Sequence, residues 1–285
     1  MIRKFFNHLE LIKFSHAIFA LPFALISMMV AAHGFPAWPI FGWIVVCMVG
    51  ARTSAMGMNR YLDWEIDQLN PRTKIRSTLG SRRGTLILTV VGALLFLYGI
   101  SHLNRLCHLL SPLALVLVWG YSWMKRFTVW CHLGLGLALS AAPLGAWAAV
   151  RGDLMSAIPW VLALAVLCWV FGFDLIYATQ DAEFDREAGL FSIPAKWGVE
   201  RSLVIARGAH GMTALALGLF GFLSHLTLTY WIAWIAVLVA LIYEHFLCRE
   251  ARDLGEINRA FFFVNGVIGI LLFAGVAWGL SLSSF

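Results

Sequence analysis

Acidic side chains at helical spacing are the feature of this sequence best suited to chemistry. In the first of two such groups, Asn59, Asp63 and Asp67 follow one another at intervals of four residues. Residues four apart lie on the same face of an α-helix, so the group predicts a row of oxygen-bearing side chains. Like charges in such a row repel each other, and the row therefore requires a positive partner.

The second group has a similar spacing. Asp174, Tyr177, Asp181 and Asp185 again share one helical face. Carboxylates with no Cys or His beside them are the hard oxygen ligands that Mg²⁺ prefers, and Mg²⁺ commonly links one or two carboxylates to substrate phosphates. Two facing rows of this kind predict a clamp for Mg²⁺ and a diphosphate.

Basic residues adjoin both groups and could bind phosphate oxygens. They are Arg72, Lys74, Lys125, Arg126 and Lys196. Two other interpretations stay open: the acids could be ordinary loop residues paired with neighbouring bases, or the proton relay of an ion-coupled transporter. A transporter's carboxylates are expected nearer the middle of the membrane beside broken helices, whereas these lie at predicted helix ends beside base-rich loops.

The composition indicates which elements must position these groups. Of 285 residues, 61% are apolar and only 13% are charged. A soluble domain is typically ~25% charged and ~45–50% apolar, so a water-soluble fold and a disordered chain are both excluded. The net charge of +6 reports membrane topology first, and no nucleic-acid partner is predicted from it.

Charge-free apolar stretches predict an all-α polytopic membrane protein with nine transmembrane helices. The first six are predicted at 14–33, 38–60, 84–101, 106–124, 128–150 and 156–178. The charge-free stretch 208–243 is too long for one crossing and is divided near Gly221–His225 into the seventh and eighth, and the ninth is predicted at 261–282. This count puts 18 of the 21 Lys and Arg residues on the side of the N-terminus, which predicts a cytoplasmic N-terminus in the cell inner membrane.

The paired motifs resemble the signatures of the UbiA superfamily of intramembrane prenyltransferases. Three motifs carry the resemblance: Asn-x-x-x-Asp-x-x-x-Asp from residue 59 with Pro-Arg-Thr-Lys-x-Arg at 71–76, Asp-x-x-Tyr-x-x-x-Asp-x-x-x-Asp from residue 174, and Tyr-Ser-x-x-Lys-Arg from residue 121. The resemblance covers almost the whole chain. The sequence departs from the family after Arg76, where Ser-Thr-Leu-Gly-Ser at 77–81 replaces a Pro-containing turn, so this loop is expected to differ in shape.

The resemblance implies a fold, a cofactor and substrates. It implies one domain over residues 1–285, with nine helices around a central cavity and the two motifs facing each other under cytoplasmic caps. It implies Mg²⁺, a polyprenyl diphosphate donor and an aromatic acceptor within a lipid bilayer. By motif position, Mg²⁺–diphosphate would be held by Asn59, Asp63, Asp67, Asp181 and Asp185. Phosphate oxygens would be bound by Arg72, Lys125 and Lys74, with Arg126 in the same basic loop.

Within the family, the chain looks most like the 4-hydroxybenzoate polyprenyltransferases. Arg-Thr-x-Ala-Met-x-x-Asn-Arg from residue 52 and the Gly- and Ala-rich stretch at 132–147 carry this likeness. It is especially similar to the branch associated with futalosine-type menaquinone synthesis, whose acceptor is 1,4-dihydroxy-6-naphthoate. Both acceptors are carboxylated aromatics. A non-benzoate acceptor, haem or a chlorophyll-type alcohol, stays an alternative on the same scaffold.

Arg52 is the individual residue with the strongest case as an acceptor ligand. It lies seven residues before Asn59 on the same predicted face, and an unpaired Arg at that depth is costly. It could fork onto the acceptor's carboxylate, or pair with Asp174. Asp174 is also the expected proton acceptor of the reaction, and Tyr177 could orient a phosphate or Asp174, or anchor the interface. His132 and His210 are assigned to helix packing or to the membrane interface.

Overall fold

The computed structural model describes residues 19–250 and 254–282, without the side chains of Ser77 and of residues 249–262. In this part the chain is helical and contains no strand. We number its nine longer helices in chain order. They are α1 Leu21–Ala32, α2 Trp38–Leu62, α3 Arg82–Ile100, α4 Arg105–Met124, α5 Cys131–Arg151, α6 Ile158–Ala178, α7 Val199–Leu223, α8 Leu228–Glu250 and α9 Leu254–Leu282.

The predicted multi-pass membrane architecture is confirmed. In the described residues, eight helices, α2 to α9, are long and apolar enough to cross a membrane, and α1 is a shorter apolar helix. The predicted start of the first span, 14–18, lies outside the described residues. The seventh helix begins at Val199 instead of at 208, because Arg201 and Arg207, expected in a loop, lie within it. Long Arg side chains reach the polar interface from a helix end, so they need not end the helix.

Short helices join the long ones at one end of the bundle. They are Trp64–Leu69, the 3-10 helices Lys74–Thr78 and Thr179–Asp181, and the helices Ala182–Glu187 and Ile193–Trp197. We call this end, which carries both acidic groups, the cap end. Helix α3 starts here with a capped turn, because the Ser81 hydroxyl accepts a hydrogen bond from the Gly84 amide at 3.1 Å.

Helices α2 and α3 are in unusually close contact through small residues. A Cβ atom placed on Gly50 would lie 2.5 Å from the backbone nitrogen of Phe96 and 2.9 Å from the carbonyl oxygen of Gly92. One turn along, the Ser54 hydroxyl donates to the Thr89 carbonyl at 2.8 Å. Small residues let helix backbones approach within a membrane, where packing drives helix association.

Replacing Gly50 with Ala is therefore expected to destabilise the fold, since the added methyl group would overlap the backbone of α3. Overpacking of this kind costs about 1–3 kcal/mol. Gly42→Ala is a matched control on the same helix, because nothing lies within 4 Å of a Cβ atom there. Thermal unfolding in detergent should show a lower midpoint for Gly50→Ala than for Gly42→Ala. Equal midpoints for the two variants would contradict this account of the α2–α3 contact.

Helix α6 lies at the centre of the bundle and is joined to α7, α8 and α9 by a buried polar network. The indole nitrogen of Trp169 donates to Asn265 Oδ1 at 2.8 Å, and Asn265 Nδ2 donates to Glu244 Oε1 at 2.5 Å. His210 Nδ1 lies 3.0 Å from His245 Nε2, and His210 Nε2 lies 3.3 Å from the Trp169 carbonyl oxygen. Glu244 has no exposed surface. His210, assigned from the sequence to packing or the interface, thus belongs to a buried polar network.

Candidate active site

The first acidic group lies where α2 gives way to the cap. Helix α2 ends at Leu62, and the helical path resumes at Trp64 after Asp63, whose backbone has φ −86° and ψ 10°. The predicted row is therefore bent at its middle residue. Asn59 Nδ2 still donates to Asp63 Oδ2 at 3.0 Å, so these two oxygen-bearing side chains lie together as the spacing predicted.

Asp67 is a buried carboxylate that binds two arginines of the cap end. Arg60 Nη1 donates to one of its carboxylate oxygens at 2.8 Å, and Arg76 Nη1 donates to the other at 2.9 Å. The residue is only 7% exposed. Both oxygens thus have a guanidinium partner, and Asp67 serves in this structure to hold two bases in place.

Arg72 joins the two acidic groups across the cap end. Its Nε donates to Asp181 Oδ1 at 2.9 Å, and its Nη2 donates to Asp181 Oδ2, which is a two-pronged contact. Its Nη1 donates to the Tyr177 hydroxyl at 2.6 Å, and Asn70 Nδ2 donates to Asp181 Oδ1 at 2.9 Å. Burial would lower the pKa of Arg72, but its bonds to Asp181 and Tyr177 outweigh burial and raise that pKa, so the guanidinium stays charged.

The basic loop after α4 contributes a second link. Lys125 Nζ lies 2.7 Å from Asp185 Oδ1, and Asp185 has no exposed surface. Burial lowers the pKa of Lys125, yet the adjacent Asp185 carboxylate more than offsets it and leaves that pKa raised. Arg126 Nη2 donates to the Leu62 carbonyl at 2.6 Å and to Asp63 Oδ1 at 3.3 Å. The loop therefore contacts both acidic groups, the first through Arg126 and the second through Lys125.

Asp63 is the acid of the first group with the most open surroundings. Its side chain is 20% exposed, whereas the Asp67 and Asp185 side chains are buried. Burial raises the pKa of Asp63, and the positive charges of Arg60 and Arg126 reduce that rise only in part. A carboxylate in this state gains from a further cation beside it.

Every acid of the predicted clamp has a basic partner in the structure, as the ion-pair interpretation expected. A site built for both Mg²⁺ and phosphate contains both signs of charge, and these attract each other. In the described residues, no three His, Cys, Asp or Glu side chains lie close enough to hold a metal ion by themselves. Mg²⁺ commonly takes only one or two carboxylates and completes its shell with water and phosphate oxygens. The oxygen donors of Asn59, Asp63 and Asp181 fit that habit.

Beneath the cap lies an apolar cavity of about 530 Å³. Helices α2 to α6 supply most of its walls, and Arg52 is the sole formally charged residue lining it in the described chain. Its Nε is buried without a hydrogen-bond partner. Tyr121 lines the same cavity.

The alternative pairing of Arg52 with Asp174 is wrong. Asp174 Oδ2 instead lies 2.7 Å from His132 Nδ1, and Arg52 takes part in none of the ion pairs of the described residues. His132, which the sequence assigned to packing, is 3% exposed and is committed to this contact. A cavity with a single unpaired guanidinium is suited to an apolar molecule that carries one carboxylate.

The cavity leads to the cap along continuous helix faces. On α2, Arg52 lines the cavity, and Asn59 follows two turns later on the same face. On α6, Leu167 lines the cavity, and Asp174 follows two turns later. The two acidic groups therefore stand at the cap end of the cavity walls. Lys74 begins the short helix Lys74–Thr78 in the loop that also carries Arg72.

Three contributors to the site were missed from the sequence or given another role. Asn70 and Arg60 each bind an acid of the clamp, and His132 binds Asp174. Asn70 directly precedes Pro71-Arg72, a turn signal that could have drawn attention to it. Nothing local marked Arg60, since an Arg near a helix end normally reports topology.

Comparisons with known proteins agree with this architecture. The sequence profile described as the UbiA prenyltransferase family matches residues 20–267. A relative from Tolumonas auensis, named 4-hydroxybenzoate octaprenyltransferase, is 31% identical over 258 residues, covering 88% of this chain and 87% of the relative. The apo structure of a UbiA homolog from Aeropyrum pernix K1 superposes with a TM-score of 0.84 at 28% identity, covering 95% of this chain and 98% of the homolog. A UbiA homolog from Archaeoglobus fulgidus, bound to GPP and Mg²⁺, has the same fold, with a TM-score of 0.73 at 17% identity over 96% of this chain and 99% of that one.

Proposed function

Because the chain belongs to the UbiA prenyltransferase family, we propose that it transfers a polyprenyl chain from polyprenyl diphosphate to 4-hydroxybenzoate, with Mg²⁺ as cofactor. The observation that carries this proposal is the cap of paired acids and bases over an apolar cavity with one unpaired guanidinium. The name of the Tolumonas auensis relative supports the acceptor, and the Archaeoglobus fulgidus homolog bound to GPP and Mg²⁺ supports the donor and cofactor.

The cap would receive the diphosphate. Mg²⁺, when bound, supplies positive charge that makes diphosphate a better leaving group. Asn59, Asp63 and Asp181 are the residues proposed to hold it. Arg72 and Lys125 would bind phosphate oxygens, with Lys74 and Arg126 beside them, and the predicted ligands Asp67 and Asp185 would act by holding their basic partners.

The cavity would receive the apolar parts of both substrates. Breaking the allylic carbon–oxygen bond leaves a carbocation that water would destroy, so the residues around it must exclude water. The apolar walls of α2 to α6 serve this purpose. Arg52 would bind the acceptor's carboxylate in a two-pronged contact and so direct the ring toward the cap.

The setting of the reaction follows from the same features. We place the protein in the cell inner membrane, with the cap end and the N-terminus on the cytoplasmic side, because most Lys and Arg residues fall on that side of the predicted topology. Water-soluble diphosphate would then leave from the cap. The prenylated product would remain in the bilayer as an intermediate of ubiquinone or menaquinone synthesis. One domain, over residues 1–285, would carry out the whole reaction.

The experiment uses the purified full chain in lipid, with a radiolabelled polyprenyl diphosphate and either 4-hydroxybenzoate or 1,4-dihydroxy-6-naphthoate. Labelled prenylated 4-hydroxybenzoate that forms with Mg²⁺ and is absent with a chelator is the expected result. Product with the naphthoate alone would overturn the acceptor while retaining the chemistry. Diphosphate release with neither acceptor prenylated would retain the clamp and overturn a carboxylated aromatic acceptor. No release and no product would overturn the proposal.

A further inference from the structure

We propose that His132 is a positioning residue for prenyl transfer, which holds Asp174 as the carboxylate that accepts the proton lost by the acceptor ring. This inference rests on the proposed function and adds a residue that no family motif quoted above assigns to the reaction. Three observations carry it: the contact between the two side chains, the burial of the imidazole, and the position of Asp174 between cavity and cap.

The contact fixes which atom of the imidazole faces the acid. His132 Nδ1 lies 2.7 Å from Asp174 Oδ2, which makes Nδ1–H the donor to the carboxylate. Nε2 of the same ring is buried and has no hydrogen-bond partner. Of the two ring nitrogens, only Nδ1 therefore has a polar partner, and that partner is the Asp174 carboxylate.

The Asp174 carboxylate is more accessible than the His132 imidazole. The Asp174 side chain is 23% exposed, whereas that of His132 is 4% exposed. Asp174 Oδ1 makes no hydrogen bond in the described residues and is not among the buried unpaired atoms. The reacting partner of this pair is therefore Asp174, and His132 acts through it.

The position of Asp174 suits the proton transfer. It lies two turns beyond the cavity-lining Leu167 on α6 and one turn before Tyr177, whose hydroxyl contacts Arg72. A ring directed by Arg52 from the cavity and a prenyl carbon held by its diphosphate at the cap would meet between these levels. A base is needed at that junction.

The step is balanced without a further reagent. The allylic carbon–oxygen bond breaks, and diphosphate leaves with the electron pair. The ring uses a pair of its π electrons to form the new carbon–carbon bond to the allylic carbon. The proton on the substituted ring carbon passes to Asp174 Oδ1, and the electrons of that carbon–hydrogen bond restore the aromatic ring. His132 donates its Nδ1–H to Asp174 Oδ2 before the step, which holds the carboxylate in a fixed orientation.

Substitutions at His132 separate this hydrogen bond from packing. His132→Asn keeps an N–H donor near the position of Nδ1 but loses volume, whereas His132→Leu and His132→Phe keep volume but lose the donor. We expect kcat to fall at least about tenfold in the two variants without a donor and to be largely rescued in His132→Asn. KM for both substrates should change little, because the His132 side chain is only 4% exposed.

The readout that a structural role would not move is the isotope effect on kcat with 4-hydroxybenzoate deuterated at the prenylated carbon. A carboxylate that is no longer held in place accepts the proton more slowly, so the isotope effect should be larger in His132→Leu or His132→Phe than in wild type and His132→Asn. Equal kcat and isotope effects in donor and non-donor variants would overturn the inference. An isotope effect unchanged in all variants while kcat falls with lost volume would also overturn it. Wild-type protein without prenyl transfer would overturn the proposed function itself, which distinguishes the two failures. If one non-donor variant does not fold, the other supplies the comparison.

Discussion

Replacing Asp181 with Asn is expected to lower kcat/KM for prenyl transfer by at least about 100-fold while the protein stays folded. Asp181 receives two N–H groups from Arg72 and one from Asn70. An Asn side chain would turn an amide N–H₂ toward these donors and remove the negative charge that orients them. The guanidinium would lose its fixed position over the cap, and the proposed Mg²⁺ site would lose a carboxylate.

The protein should stay folded because Arg72 keeps its contact with Tyr177 and its side chain is 19% exposed. Glu65→Gln is the control, since Glu65 belongs to an exposed pair with Arg82; such pairs contribute little, and its activity should be near that of wild type. Product formation and thermal unfolding would be measured for both variants. Full activity in Asp181→Asn would remove Asp181 from the clamp, and an unfolded Asp181→Asn protein would show a structural role instead.

Replacing Arg52 with Leu should raise KM for 4-hydroxybenzoate by about 100-fold and leave KM for the prenyl diphosphate nearly unchanged. The guanidinium is unpaired and lines the cavity, so it is free to bind a carboxylate, and removing one partner of a buried charge pair costs about 2–5 kcal/mol. Leu fits the apolar walls without leaving a charge behind. The KM of Arg52→Lys for 4-hydroxybenzoate should lie between those of wild type and Arg52→Leu, because a Lys ammonium keeps the charge but cannot make the two-pronged contact.

The acceptor itself provides the decisive control for Arg52. A phenol without a carboxylate should be prenylated poorly and equally by wild type and Arg52→Leu, since neither can bind a group that is absent. Arg83→Leu, at an exposed position, should leave both KM values unchanged. If Arg52→Leu lost activity with the phenol as strongly as with 4-hydroxybenzoate, Arg52 would have a role other than carboxylate binding.

The membrane fold follows from the sequence almost directly, because a span is defined by what it lacks. A charge-free apolar stretch must cross the bilayer whatever its neighbours do, and α2 to α6 begin and end within a few residues of the predicted bounds. A charged residue near the membrane interface does not by itself mark the end of a helix. The sequence therefore placed the start of the seventh helix too late, since α7 begins at Val199 and includes Arg201 and Arg207.

The site could be predicted only as far as local spacing reaches. A helix repeat places Asn59 beside Asp63, and the structure has them in contact. Arg72 and Asp181, by contrast, are 109 residues apart, and His132 and Asp174 are 42 residues apart. Which base meets which acid depends on how the helices pack, and a charge count along the chain contains no such information. The motif-based roles stay predictions.

The buried network around Glu244 bears on how the chain enters the membrane. A carboxyl group inside a span costs up to about 3 kcal/mol when it faces lipid alone. Glu244 on α8 receives a hydrogen bond from Asn265 on α9, and His210 on α7 lies 3.7 Å from its other oxygen. Chains truncated before residue 254 should therefore insert α8 less efficiently than full-length chains, as measured by alkaline extraction of membranes, and equal insertion would contradict this. On this account the last three helices form one unit of biogenesis, and α7 and α8 are expected to become stable in the membrane only once α9 has been synthesised.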